Sequence, residues 1–505
     1  MKATATAASP APHHAADSAE RSHITTASSQ LTCTQASSFA FTAFIDLMPR
    51  SEDRDAVATT DSRASLSYAS LHRLLAEMPM LGASRVCLAL PDSAEAVTAL
   101  LACACQAACS PLNRSLGAAE LSFELTDLPA SAVVVQHTDH LAPRVLDAAG
   151  AQGVPALHLV GSDVRAGAFT LEWAARPLLC AAAAVASRRD DICLALYSSG
   201  TTGKPKVVPL SHENVAVGAL CVASTLRLQR CDVGLSMMPL CHAHCMSVDI
   251  LPALLSAARV VATPGFDAAL AVGWLRSAGT TWYGGVPSMH LRLAEVVERS
   301  QPARGGGTLR LVRNCSAALL PSVAERLEAA LDCTVMPTYA LAASLPITSN
   351  PRGGGRVLRS VGAAAGPEVR LVRDDGTPRA AGGVGDEVCV HGACVTVGYE
   401  VRTHMAADPN AAAFHLLEGS RWLRTGDRGR VDGAGCLLLS GRFGARGKRD
   451  AEAASAPEVE GALRARLALG VVTLDNELLS ELRATPANTA TSASSGGGDV
   501  GVTVH

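Results

Sequence analysis

At 505 residues the chain is longer than a single hydrophobic core usually serves, so two or more units are expected. It is 48% hydrophobic, 18% charged and 3% aromatic, with a formal net charge of −3. That gives ample core material and no global field to draw nucleic acid or an acidic membrane surface, so a small anionic ligand would need a local positive site.

Residues 1–36 are rich in Ala, Ser, Thr and His, show no hydrophobic period, and are expected to form a disordered tail. Arginine is scarce there, and Asp17 and Glu20 argue against a transit peptide. From about residue 60, short β-branched runs alternate with longer helical ones. "RVCLALP" (Arg85–Pro91) predicts a buried strand, and the following "DSAEAVTALLACACQAAC" a helix, capped by Ser93 with Glu95 early where the dipole favours it. "SAVVVQ" (Ser131–Gln136) and "ALHLVG" (Ala156–Gly161) predict further strands.

After about residue 355 the texture changes to short strands and turns, "EVRLVRDDGTPRA", "DEVCVHG" and "GCLLLSG". "PEVEGALRARLALGV" (Pro457–Val471) predicts one more helix, and 485–505 is a tail of Ala, Thr, Ser and Gly expected to be disordered. The expected fold is therefore α/β. Mostly parallel, helix-covered sheets make a large domain over 37–441, with a β-rich subdomain at about 355–441. A hinge and truncated remnant follow over 442–484.

Sixteen cysteines are spread through apolar stretches without repeating spacing, which predicts reduced buried thiols in a reducing compartment. No apolar run approaches the length of a membrane span; the longest, near Leu178–Ala186, is half of it. The chain ends Val-Thr-Val-His, which is not a peroxisomal address, so the expected location is cytoplasmic. Protein partners are not legible.

"YSSGTTGKPK" (Tyr197–Lys206) concentrates hydroxyls, two glycines and two lysines between the apolar run "ICLALY" and a helical stretch opening at "SHENV". Exposed backbone N–H groups, hydroxyls and cations suit an anion-binding nest. The spacing is not that of a Walker A loop, which needs four residues between its glycines and Ser or Thr after the lysine; here Pro205 follows Lys204. A plain surface loop is the competing reading.

This stretch resembles the phosphate-binding signature of the adenylate-forming acyl-CoA synthetase superfamily. The resemblance continues, in the family's order, through "PLCHAH" (Pro239–His244), "TTWYGGVPSMH" (Thr280–His290), "LRLVRNCSAALLP" (Leu309–Pro321), "GDEVCVHGACVTVGY" (Gly385–Tyr399), "WLRTGDRG" (Trp422–Gly429) and Gly441–Arg442. It covers roughly residues 40–460. "NCSAALLP", "ITSNP" and the His-x-His of "CHAHC" look most like the oxalate–CoA and 4-coumarate–CoA ligase branch.

The resemblance implies a set of roles. Ser198, Ser199, Gly200, Thr201, Thr202, Gly203 and Lys206 would hold the phosphates of ATP. Tyr339 would stack on adenine, with Ser316, Ala317 and Ala318 lining its pocket. Asp427 would take the ribose hydroxyls, and Arg442 would reach ribose and phosphate from the hinge. His242 and His244 would wall the acyl site beside Ser316, where a small dicarboxylate such as oxalate suits imidazole donors. Lys206, Arg442 and His242 are the expected catalytic groups, with ATP, Mg²⁺ and CoA as cofactor and co-substrates. "CHAHC" (Cys241–Cys245) also tempts a zinc reading, but on a helix its ligands would span too much of the circumference to converge, and no metal ligand is assigned there.

Two departures bear on activity. The family follows its adenine-stacking Tyr with Ala-Met-Thr-Glu, whose Glu helps hold Mg²⁺, whereas here "TYALAASLPITSNP" (Thr338–Pro351) places Ala342 and Ala343 there. No Asp or Glu occurs between Cys333 and Pro367. Magnesium is usually held by one or two carboxylates plus substrate phosphates, and losing a preorganised charge stabiliser costs about 10²–10³ in rate. The second departure is C-terminal. The family carries a complete small domain with an adenylating lysine, yet no lysine follows Lys448, and Gly444 stands where the family has its hinge lysine. Three readings stay open: an acid–CoA ligase with weakened activity, a nucleotide-binding pseudoenzyme that regulates or scaffolds, and a truncated gene product.

Overall fold

The computed structural model describes residues 23–24, 30–78, 83–173, 187–198, 205–300, 307–352, 355–378 and 386–442. The chain divides into Met1–Phe443 and Gly444–His505, and every described residue belongs to the first unit. The expected helix Pro457–Val471, the remnant 442–484 beyond Arg442, the tail 485–505 and the apolar run near Leu178–Ala186 lie outside the described residues. Among the described residues no helix is long and apolar enough to cross a membrane.

Strands of the described residues form sheets of seven, nine and six. The seven-stranded sheet is built on Arg85–Ala89, which runs parallel to Ala108–Pro111 and Ala132–Gln136. Its central strands are buried and mostly apolar, while the edge strand Phe169–Trp173 alternates between buried and exposed residues. The helix Ala94–Ala104 is buried on every side, and Ser93 caps it by accepting from the amide of Ala96 at 3.1 Å. At one edge, Ile192–Tyr197 pairs antiparallel with Val207–Ser211 as the two strands of a hairpin.

The nine-stranded sheet carries a parallel run of Val233–Ser236, Trp282–Gly285, Leu311–Asn314 and Thr334–Leu341. Parallel sheets present their ligand-binding loops beyond the C-terminal strand ends. Those ends lead here into the segments of His242, Cys315–Ala318 and Tyr339. The third sheet is antiparallel, with Glu368–Val372, Asp386–His391, Ser420–Val431 and Leu437–Arg442 paired in succession. The α/β architecture with a β-rich subdomain, expected from the sequence, is thus the observed one.

The tail expected over 1–36 is corrected where the chain is described. His23–Ile24 pairs with Val369–Arg370, and Cys33–Ser37 forms a helix with a Thr32 capping box. The physical reason is tertiary. Cys33 and Ala36 bury against Val217, Cys221 and Cys394, and the Leu31 amide donates to Ser224 Oγ at 2.9 Å. Local composition carries no sign of such long-range burial.

Candidate functional site

The hairpin stem Ser198–Lys206 is closed by two hydrogen bonds. The Ser198 amide donates to the Lys206 carbonyl at 2.8 Å, and the Lys206 amide donates to Ser198 Oγ at 3.0 Å. Ser199, Gly200, Thr201, Thr202, Gly203 and Lys204 lie outside the described residues. The Lys206 ammonium sits 4.8 Å from the Tyr399 ring centroid, a cation–π approach that fixes its direction. The amide of Glu400, next in the chain, donates to the Val207 carbonyl at 3.0 Å, tying this segment to the hairpin.

Tyr339, Asp427 and Arg442 are brought together. Asp427 and Arg442 are cross-strand partners, so register alone places them side by side. Tyr339 Oη donates to Asp427 Oδ2 at 2.5 Å, and Arg442 Nε donates to Asp427 Oδ1 at 2.9 Å. Burial, then the adjacent Asp427 carboxylate, pushes the Tyr339 phenol well above its ordinary value, so it stays a donor. Thr425 Oγ1 accepts from the Asp427 amide at 3.1 Å and donates to the Val388 carbonyl at 2.8 Å, which anchors the turn. Burial also raises the Tyr399 hydroxyl, against the pull of the Arg442 charge. Tyr339 accordingly comes with its hydroxyl already bound to the carboxylate.

Ser316, Ala317 and Ala318 are exposed just past the strand Leu311–Asn314. Ser316 takes φ 71, a left-handed conformation that costs a non-glycine residue roughly 1 kcal/mol or more. Asn314 Nδ2 holds the turn by donating to the Ala317 carbonyl at 3.1 Å. Thr338, next to Tyr339 in the chain, donates to the Asn314 carbonyl at 2.7 Å and ties this turn to the strand of Tyr339.

His242 and His244 lie on one turn after Ser236, with ring centroids 6.4 Å apart. His242 is exposed, and its pKa is lowered by the protein crowding it and then by the charge on His244. His244 is buried, with Nε2 3.2 Å from Asp249 Oδ1. Burial alone would lower its pKa, but the Asp249 carboxylate and Cys315 lift it to about 9. Cys315 is buried too, yet the Arg313 guanidinium and His244 pull its thiol down to about 6. His244 and Asp249 approach closely without a well-aligned hydrogen bond. Both His244 nitrogens, both Asp249 carboxylate oxygens and Arg313 Nη1 keep open hydrogen-bonding capacity. Buried polar atoms left in that condition are costly and suit a polar guest or water.

Asp249, Arg313 and Cys315 were not singled out by sequence reasoning. Residues five apart lie about 140° apart around an α-helix axis, so His244 and Asp249 give no pairing signal. The chain folds instead as a π-helix over Cys245–Ile250, whose wider turn, with Leu251 N bonded to Met246 O, brings them to one side. Gly284 completes the arrangement: a Cβ there would lie 2.1 Å from Asp249 Oδ1 and 2.7 Å from His244 Nε2. The sequence signal available was the pair Gly284–Gly285 inside a strand, a mark of close approach.

The position that the resemblance gives to a magnesium carboxylate is a tight turn. Leu341 pairs with Ser344, and Ala342 and Ala343 span the gap. Neither side chain carries an oxygen, and among the described residues no group of three or more His, Cys, Asp or Glu is arranged to hold a metal ion. The residues of this turn do not fit a protein-held Mg²⁺.

A family model described as AMP-binding enzyme matches residues 49–400. The chain is 30% identical over 391 residues to a probable CoA ligase, CCL9, of Humulus lupulus, covering 75% of this chain and 71% of that one. It is 28% identical over 427 residues to an oxalate–CoA ligase of Arabidopsis thaliana, covering 81% and 80%. Among solved structures, ATP-bound MatB from Rhodopseudomonas palustris has a TM-score of 0.65 at 26% identity, covering 79% of this chain and 78% of that chain. A malonyl-CoA ligase with methylmalonyl-CoA and AMP bound has a TM-score of 0.62 at 28% identity, covering 80% and 82%.

Proposed function

Because the chain belongs to the AMP-binding enzyme family, as one of its acid–CoA ligases, we propose that it binds ATP and activates a short polar carboxylic acid as an acyl-adenylate for transfer to CoA. In the first step a carboxylate oxygen attacks the α-phosphorus and pyrophosphate leaves. In the second, the CoA sulfur attacks the acyl carbon, its proton passes to solvent, and AMP leaves.

The observation that carries this reading is the hydrogen-bonded set Tyr339–Asp427–Arg442. Asp427 offers carboxylate oxygens to ribose hydroxyls, with Tyr339 holding it in place. Arg442 and Lys206 supply positive charge for phosphate, and Ser198, with the loop 199–203, supplies donors. Ser316, Ala317 and Ala318 leave room for a flat base.

A short polar acid is favoured by the interior of the acyl side. A long apolar chain beside the buried His244, Asp249 and Arg313 would leave their open valences unsatisfied. A small acid brings oxygens that satisfy donors there, with His242 at the mouth; the oxalate–CoA ligase relative fits that chemistry.

A second reading rests on Ala342–Ala343. Without a carboxylate at this turn the protein's own hold on Mg²⁺ is weak, which favours a nucleotide-binding pseudoenzyme, regulator or scaffold. Pyrophosphate exchange across a panel of acids separates the two. Exchange with oxalate and other short dicarboxylates, and none with long-chain acids, supports the ligase. Nucleotide binding with no exchange for any acid supports the pseudoenzyme.

A further inference from the structure

Three cysteines from distant parts of the chain meet outside the candidate site. Cys33 begins the short N-terminal helix, Cys221 lies in the helix His212–Leu226, and Cys394 follows the strand Asp386–His391. Cys33 Sγ is 3.3 Å from Cys394 Sγ, across 361 residues of sequence. The Cys33 thiol donates to the Cys394 sulfur, the Cys394 thiol points on to the Pro346 carbonyl at 3.7 Å, and Cys221 packs in the same buried cluster.

The pocket is shaped closely around the sulfurs. A Cβ on Gly366 would lie 2.8 Å from Cys221 Sγ and 3.6 Å from Cys33 Sγ. Scattered cysteines in an alanine-rich core are commonly inert fillers. Three thiols from distant segments, two of them with sulfurs at 3.3 Å, are not what a filler requires. The neighbouring Cys221 and Cys394 side chains hold the Cys33 thiol below its ordinary value, which favours the thiolate, the species that attacks a disulfide.

We propose that Cys33 and Cys394 form a reversible intramolecular disulfide, with Cys221 as the neighbouring thiol poised to exchange into it. The oxidant is a low-molecular-weight disulfide such as oxidised glutathione. The Cys33 thiolate attacks one of its sulfurs, breaking that S–S bond and releasing one glutathione thiolate, which takes up the proton Cys33 gave. The Cys394 thiolate then attacks the Cys33 sulfur of the mixed disulfide and expels the second glutathione, again with its proton. Two protein thiols are oxidised and one disulfide is reduced to two thiols.

The sulfurs need to close from 3.3 Å to about 2.05 Å, a shift within reach of a five-residue helix at the protein surface. Thr34 and Gln35 are exposed, so lifting that helix admits the oxidant. The bond would pin the N-terminal segment to the turn of Cys394. That turn is wired toward the candidate site. Asn214 Nδ2 donates to the carbonyls of Ala393 and Val395, Thr396 Oγ1 to the Pro209 carbonyl in the hairpin strand Val207–Ser211, and the Thr396 amide to Ala343.

The test is peptide mapping of the folded full-length protein after oxidised glutathione and rapid alkylation. The expected result is a Cys33–Cys394 linked peptide, the loss of two hydrogens from the intact mass, and a higher Tm, all reversed by dithiothreitol. The link should vanish in Cys33→Ala and persist in Cys221→Ala. The proposal is overturned by a map without a Cys33 link, by Cys33 found only as a glutathione adduct, or by Cys33–Cys221 as the principal bond. The wild-type map decides even where a variant fails to fold.

Discussion

Replacing Asp249 by Asn keeps the shape of the buried pair and removes its negative charge. The pKa of His244 stands at about 9 against 6.5 for the free imidazole, raised by Asp249 and Cys315 against the effect of burial. A rise of that size corresponds to roughly 3–4 kcal/mol of net preference for the charged imidazole, at 1.36 kcal/mol per unit. Because Asn leaves a neutral His244 rather than an orphaned charge, the expected net loss is smaller, about 1–3 kcal/mol. The sign follows from the direction of the shift. A folded pKa raised above the unfolded value contributes stability fully present below pH 6.5 and lost as pH rises through about 9. Urea unfolding of both proteins from pH 6 to pH 10 reads this directly. The difference in stability should be largest near pH 6 and shrink or reverse by pH 10, where the wild type holds an unpaired buried carboxylate. A difference that stays constant across the range, or the absence of any difference at pH 6, would refute the pairing.

Tyr339→Phe removes the 2.5 Å bond to Asp427 and should weaken AMP binding about three- to tenfold, measured calorimetrically, with a stability loss of about 1–3 kcal/mol. Arg442→Ala breaks a pair whose arginine is 44% exposed, so stability should change by less than about 1 kcal/mol. ATP affinity should nonetheless fall about tenfold or more as a charge-assisted phosphate contact is lost. Ala342→Glu restores a carboxylate to the turn and should raise the magnesium dependence of ATP binding by about tenfold, the weight of one charged contact.

Much of the fold was legible because its elements carry their own signals. The buried strands Arg85–Ala89 and Ala132–Gln136, and the helix capped by Ser93, announce themselves by apolar runs and a cap. The Tyr339–Asp427–Arg442 set was legible only through ordered motifs, since three residues spread over a hundred positions meet through strand register that no local period encodes. The His244–Asp249 pair was hidden because a π-helix sets its phase, and sequence patterns are read at the α period. Ordering at Cys33–Ser37 was missed for a related reason. Its stability comes from burial against residues nearly 200 and 360 positions away, while its own composition looks like linker.

The central claim is that a nucleotide site persists here while the protein's own hold on magnesium is gone. Calorimetric titration of the full-length protein with ATP and with AMP, each with and without Mg²⁺, tests it most directly. Binding of both nucleotides at micromolar strength, with Mg²⁺ changing the ATP affinity by less than about tenfold, is the expected result. Failure of both to bind would contradict the site, and a gain of a hundredfold or more with Mg²⁺ would contradict the account of the Ala342–Ala343 turn.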